Sequence, residues 1–193
     1  MLKEMNIVLV GVGGQGTLLA SRVLGRLAVN LGMDVKLSEV HGMAQRGGSV
    51  VSYVRIGNEI KSPRVEACGA DYVLSFEALE AARARNYLKK DGVLVVNTQK
   101  IAPMPVITGA MKYPEDPLAD ISGVRLVKMD ALALATQAGA AKAVNLVLLG
   151  ALYALEGGED REAWLQAIAE CVPPKYMAAN LLAFEYGAKA VAQ

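Results

Sequence analysis

The residues Gly11-Val12-Gly13-Gly14-Gln15-Gly16 satisfy the pattern G-x-G-x-x-G. Glycines there allow positive φ and close approach of the backbone to a ligand. The free N–H groups at a helix start then face an anion. The pattern needs a strand before it and a helix after it. Apolar Met5–Val10 precedes it, and Leu19, Val23, Leu27 and Leu31 follow at i, i+4 spacing. The candidate ligand contacts in this loop are Gly11, Gly13, Gly14, Gln15, Gly16 and Thr17. Glu39 lies 23 positions after Gly16, where a ribose-binding carboxylate would stand. No lysine follows Gly16, so this is not a Walker A loop. The same glycines also fit a tight strand-to-helix turn that binds nothing.

A second stretch, Glu39-Val40-His41-Gly42-Met43-Ala44-Gln45-Arg46-Gly47-Gly48-Ser49, holds the only histidine of the chain. It leaves the carboxyl end of a strand, the edge where open α/β sheets bind ligands. A forked guanidinium beside flexible glycines makes an anion clamp. Gln45, Arg46, Gly47, Gly48 and Ser49 are therefore further binding candidates. His41 and Arg46 are the candidates for chemistry, His41 because its ordinary pKa lies near neutrality. A hydrogen bond from His41 to a loop carbonyl is the alternative, as is a solvated loop whose glycines only permit its turn. Asn145, inside an apolar helix, is expected to make a structural hydrogen bond. Cys68 and Cys171 read as small core residues. No cluster has metal-ligand spacing.

These loops need elements to hold them. Met5–Val10 reads as a strand, Gly14–Leu31 as a helix stopped by Gly32, and Asp34–Glu39 as a second strand. Val40–Gly48 is a loop too short for a helical crossover. Ser49–Ile56 is a third strand, and Gly57-Asn58 predicts a hairpin to Glu59–Lys61. Tyr72–Phe76 (strand), Glu77–Lys89 (helix), Val93–Asn97 (strand) and Val124–Met129 (strand) follow, with proline-rich 99–120 irregular. The remainder reads as helices over Asp130–Ala138, Ala143–Glu156 and Asp160–Cys171, with a last one opened by Pro173-Pro174. The expected class is α/β, a Rossmann-like open, mostly parallel sheet with helices on both faces and a helical C-terminal third.

Composition narrows the function. The 193 residues carry 20 Lys+Arg against 19 Asp+Glu. That balance argues against nucleic acid as the main ligand. With 53% hydrophobic residues the chain is not disordered. The apolar run Ala143–Leu155 is too short to span a bilayer, so no membrane is expected. Two isolated cysteines suit a reducing cytoplasm and cannot supply the four ligands of an iron–sulfur cluster. A mean hydropathy of +0.31 points to a large core or an apolar partner surface, with self-association possible when the chain is alone.

GVGGQGTLLASRVLG followed by EVHGMAQRGGSVVSYVRIG resembles the gamma-type subunit of the 2-oxoacid:ferredoxin oxidoreductases, within them the small subunit of the indolepyruvate branch. AVNLVLLGALYAL and VPPKYMAANLLAFEYG resemble that family's C-terminal helices. The resemblance runs from about Asn6 to Val191 and implies one gamma-type domain over 1–193. It implies membership of an enzyme that decarboxylates a 2-oxoacid on thiamine diphosphate, here an aryl pyruvate such as indolepyruvate. Electrons then pass through iron–sulfur clusters to ferredoxin, and the acyl group passes to coenzyme A. Thiamine diphosphate and clusters are expected on a large partner subunit. This chain has no G-D-G run leading to Asn, holds no cofactor alone, and is expected to be inactive alone. The resemblance further implies that Gly11–Thr17 and His41–Ser49 lie at the subunit boundary, on the coenzyme A side. From the residues themselves two rivals stand: a free-standing NAD(P)-dependent dehydrogenase, which the glycine pattern and Glu39 suggest, and a nucleotide-binding regulatory module.

Overall fold

The computed structural model describes residues 3–42 and 47–191. Six strands form one sheet: β1 (Met5–Val12), β2 (Asp34–His41), β3 (Ser49–Gly57), β4 (Ala70–Ser75), β5 (Leu88–Asn97) and β6 (Arg125–Met129). Their order is β2-β3-β1-β4-β5-β6. The pairs β1–β4, β4–β5 and β5–β6 are parallel, while β3 runs antiparallel to both β1 and β2. Five strands therefore point one way and β3 alone is reversed. The helices are α1 (Thr17–Asn30), α2 (Ala78–Ala84), α3 (Met104–Ile107), α4 (Ala131–Gln137), α5 (Val144–Leu155), α6 (Arg161–Cys171) and α7 (Met177–Val191).

Strand periodicity divides the core in two. Ile7 and Leu9 of β1 face α1 and the helices α4 to α7. Val8 and Val10 face the other way, toward α2 and the segment around Leu118. Helices thus cover both faces, and the C-terminal third is helical, as the α/β reading expects. Among these, α5 and α7 touch backbone to backbone. A Cβ placed on Gly150 would stand 1.9 Å from the Phe184 carbonyl, and one on Gly187 would stand 1.9 Å from the Val147 carbonyl. Only glycine permits that approach.

The structure corrects several expectations. No strand forms at Glu59–Lys61 among the described residues; β3 pairs instead with β2, in register Asp34↔Gly57 to His41↔Val50. Gly57 is still part of β3 and the chain only bends at Asn58, while Asp34 claims the next stretch by accepting the Ile60 N–H at 2.8 Å. The first helix begins at Thr17 rather than Gly14, because Gly14 and Gly16 take positive φ. It stops as expected, with Gly32 at φ 74°. The expected helix Glu77–Lys89 ends at Ala84, and a tight turn Arg85–Tyr87 leads into β5. Pairing of Leu88 with Ala70 there overrides the helical pattern.

Candidate functional site

All the candidate loops meet at one edge of the sheet, the carboxyl end of its five co-directional strands. In open α/β sheets that edge is where ligands bind. A cleft of about 350 Å³ lies there, lined by Gly13, Gly14, Gly16, Thr17, Leu18, Glu39, His41 and Val50. The glycine loop and the end of β2 therefore share one site.

The glycines have separate tasks. Gly11 is buried at the end of β1, and a Cβ there would lie 2.9 Å from the Phe76 Cβ. It is a packing glycine. Gly13 donates its N–H to the Gly48 carbonyl at 2.8 Å, joining the two loops. Gly14, at φ 101°, has open space where a Cβ would be. Gly16, at φ 92°, caps α1, and its carbonyl accepts from Ala20 N–H at 3.2 Å. The α1 start has no side-chain cap and no acidic residue in its first turn. Its first N–H groups have no acceptor within the helix and leave a partial positive charge at the cleft.

Gln15 serves the loop itself. Its Oε1 accepts the Val12 N–H at 2.8 Å, and its Nε2 donates to the Phe76 carbonyl at 2.9 Å. Gln99 Oε1 lies 3.4 Å from the same nitrogen. Thr17 is 6% exposed and lines the cleft. Its hydroxyl has no hydrogen-bond partner among the described residues. Among the described residues no fully enclosed side-chain polar atom lacks a partner, so this hydroxyl is not sealed in, and Thr17 is one of the residues lining the cleft.

On the second loop, Gln45 and Arg46 lie outside the described residues. Gly47, at φ 77°, turns the chain into β3. The Ser49 hydroxyl donates to Glu80 Oε2 at 2.5 Å, and Arg83 holds the other oxygen of Glu80 at 2.6 Å. His41, the last residue of β2, is exposed, and its Nδ1 lies 3.1 Å from the Gly42 carbonyl. That is the loop-carbonyl contact expected for it. Glu39 accepts from the Ser52 hydroxyl at 3.2 Å. Glu39 and His41 are the titratable side chains lining the cleft among the described residues.

Behind the loop, Asn145 makes its structural hydrogen bonds. Its Oδ1 accepts the Leu146 N–H at 3.0 Å, and its Nδ2 donates to the Gly16 carbonyl at 3.4 Å. Sequence reasoning missed the buried polar support beside it. Asn97 closes β5 by donating to the Phe76 carbonyl at 2.9 Å and accepting the Ala131 N–H at 3.1 Å. Glu77, 1% exposed, caps α2 by accepting the Glu80 N–H at 2.9 Å, and also accepts from Ile101 N–H and the Tyr113 hydroxyl. Burial, then the Glu77 carboxylate, push the Tyr113 hydroxyl well above the usual phenol range. A polar residue directly after an apolar strand was the available signal for both.

The cysteine expectation needs correction at Cys68, while Cys171 packs against the main core. Cys68 is exposed, in a turn at φ 58°, and Cys171 is partly buried. Burial pushes the Cys171 thiol up. Among the described residues no group of three or more His, Cys, Asp or Glu could hold a metal ion. No helix among them is long and apolar enough to cross a membrane.

The strand order departs from that of a dinucleotide-binding fold. In that fold the strand bearing the ribose carboxylate lies next to β1. Here β3 stands between β1 and β2, although Glu39 still lines the same cleft as Gly13, Gly14 and Gly16.

Residues 6–190 match the family described as pyruvate ferredoxin/flavodoxin oxidoreductase. The chain belongs to that family. The indolepyruvate oxidoreductase subunit IorB of Thermococcus kodakarensis is 43% identical, over 98% of this chain and 96% of its own. The 2-oxoglutarate synthase subunit KorC of Methanothermobacter thermautotrophicus is 30% identical, over 96% of this chain and 93% of its own. The fold is that of the gamma subunit of a keto/oxoacid ferredoxin oxidoreductase from Geobacter sulfurreducens, with a TM-score of 0.74 at 24% identity. That match covers 97% of this chain and 98% of the other.

Proposed function

We propose that this chain is the small, non-thiamine subunit of a 2-oxoacid:ferredoxin oxidoreductase of the indolepyruvate type. The whole enzyme would convert an aryl pyruvate and coenzyme A to an aryl-acetyl coenzyme A and carbon dioxide, with two electrons passed to ferredoxin. The whole chain, 1–193, would act as one gamma-type domain. Its identity to an IorB subunit over nearly the full length supports the indolepyruvate reading. Iron–sulfur clusters do not fit this chain, because two separate thiols offer half of the four ligands that a cluster needs. In this reading the clusters belong to the larger partner, and so does thiamine diphosphate. Two free cysteines also suit a reducing, cytoplasmic setting.

The chain's own task in this reading is to hold coenzyme A at the boundary with the partner. One observation carries it: the uncapped start of α1 and Thr17, whose hydroxyl is not sealed in, share one cleft. Both favour an oxygen anion of the phosphate class. Gly14 leaves room for that anion to reach the backbone. The Gly13–Gly48 hydrogen bond and the tie from Ser49 to Glu80 hold the end of the second loop, Gly47 to Ser49, beside it. Arg46 would add a guanidinium to the bound anion or to the substrate carboxylate.

The test is steady-state kinetics of the enzyme assembled with its large subunit. Thr17→Val is expected to raise KM for coenzyme A about 5- to 10-fold, with KM for the 2-oxoacid unchanged. Arg46→Ala is expected to lower turnover without releasing the subunit. Unchanged constants for both substrates in both variants would remove this cleft from the active site.

A further inference from the structure

Strand β2 is an edge of the sheet, and among the described residues it pairs with β3 alone. Its register with β3 runs without a bulge from Asp34↔Gly57 to His41↔Val50. The N–H and C=O groups on its outer side therefore form an unbroken row. Edge strands are commonly blunted by proline, a bulge or free lysines. β2 has no proline, and its one lysine, Lys36, is neutralised by Asp34 at 2.6 Å.

An apolar stripe runs beside that edge. Leu37 of β2 lies against α1, where a Cβ on Gly25 would stand 2.9 Å from its Cδ1, and is still 42% exposed. On α1, Leu18 and Val29 are 46% and 55% exposed. Val29, Val35 and Leu37 line a groove of about 480 Å³ with Arg22, Arg26 and Glu170. Arg26 takes Glu170 at 3.1 Å, and Arg22 has no ion pair among the described residues. The groove is thus apolar at its base and carries a surplus positive charge.

We propose that a second copy of this chain pairs with the first along β2, antiparallel about a two-fold axis, so that one sheet runs through both. Residues opposed in an antiparallel pair share a face, so the axis passes through a residue of β2. Centred on Leu37, it sets Leu37 against itself, Lys36 against Ser38 and Val35 against Glu39. Centred on Ser38, it would set Leu37 against Glu39. The Leu37 register joins two apolar side chains at the axis. It also brings Glu39 of the second copy beside Val35, in the groove with the positive surplus. The two α1 helices flank the axis antiparallel to each other, with Leu18 of one toward Val29 of the other. A lone peptide strand would satisfy the backbone of β2 but leave Leu18 and Val29 in water. The pairing depends on neither the family nor the coenzyme A reading.

Sedimentation velocity of the full chain should show a dimer at about 10 μM. Val29→Glu, at an exposed helix position, should weaken it by about 10-fold or more. Met104→Glu, as exposed but beyond β5 at the other end of the sheet, should leave it unchanged. Cross-linking reads the register. In a Cys68→Ser, Cys171→Ser background, Leu37→Cys should oxidise to a covalent dimer, since the opposed Cα atoms stand about 4.5–5.5 Å apart. Ser38→Cys should not, because its two copies are diagonal neighbours about 7–8 Å apart. A monomer up to about 100 μM, a dimer indifferent to Val29→Glu, or faster cross-linking through Ser38→Cys than through Leu37→Cys would overturn the proposal.

Discussion

The Gly13 amide donates to the Gly48 carbonyl at 2.8 Å, so the glycine loop and the second loop are hydrogen-bonded to each other at their bases. The register continues it, since Val12 pairs with Ser49 and Gly11 with Val50. Two stretches more than thirty residues apart in sequence form one rim because β3 doubles back beside β1. On the far side of the rim Ser49 is tied to buried Glu80.

That tie predicts the effect of Ser49→Ala. The loss of a hydrogen bond to a buried carboxylate should cost about 1 to 3 kcal/mol of stability. Arg83 still holds the other oxygen of Glu80, which limits the damage. Denaturant melts should show the loss. In the assembled enzyme, KM for coenzyme A should rise more than KM for the 2-oxoacid, because the border of the cleft is loosened.

Gly16→Ala tests the cap of α1. At φ 92° a side chain is strained by about 1 to 2 kcal/mol. The added Cβ would also meet Asn145 Nδ2 at 3.1 Å. Gly16→Ala should therefore lower stability by more than Gly14→Ala, whose Cβ meets nothing within 4 Å. Equal losses in thermal melts of the two variants would show that the Asn145 contact carries no weight.

Much of the fold was legible in advance, and the failures share a cause. Buried apolar runs gave β1, β4 and the core of β5, and four-residue spacing gave α1 and the C-terminal helices. The glycine pattern located the loop because only glycine tolerates φ 101° at Gly14 and φ 92° at Gly16. Long-range pairing was the part hidden from local reading. Gly57-Asn58 looks like a hairpin turn, yet the partner of β3 lies earlier in the chain, at Asp34–His41. Gln15 looked like a ligand contact, and nothing nearby in sequence signals that Phe76 and Gln99 would take its amide. Glu77, Glu80 and Asn97 support the site through partners equally distant in sequence or hidden by burial.

Alkaline stability follows from a phenol pair on the other face of the sheet. The Tyr53 and Tyr87 hydroxyls lie 2.8 Å apart. Burial, then the hydrogen bond to Tyr87, push Tyr53 up to about 12 from an ordinary 10.0. The folded state thus holds its proton where the unfolded chain loses it. The stabilisation is complete below about pH 10 and is lost as pH rises toward 12. Thermal melts between pH 9 and about pH 11.5 should fall steeply in the native chain and less steeply in Tyr53→Phe.

This chain is expected to complete an oxidoreductase whose redox chemistry belongs to a larger partner. The direct measurement is 2-oxoacid-dependent reduction of ferredoxin, in the presence of coenzyme A, by the large subunit with and without this chain. Each protein alone should be inactive, the two should co-purify, and the mixture should reduce ferredoxin with an aryl pyruvate. Full activity of the large subunit alone, unchanged on adding this chain, would contradict it.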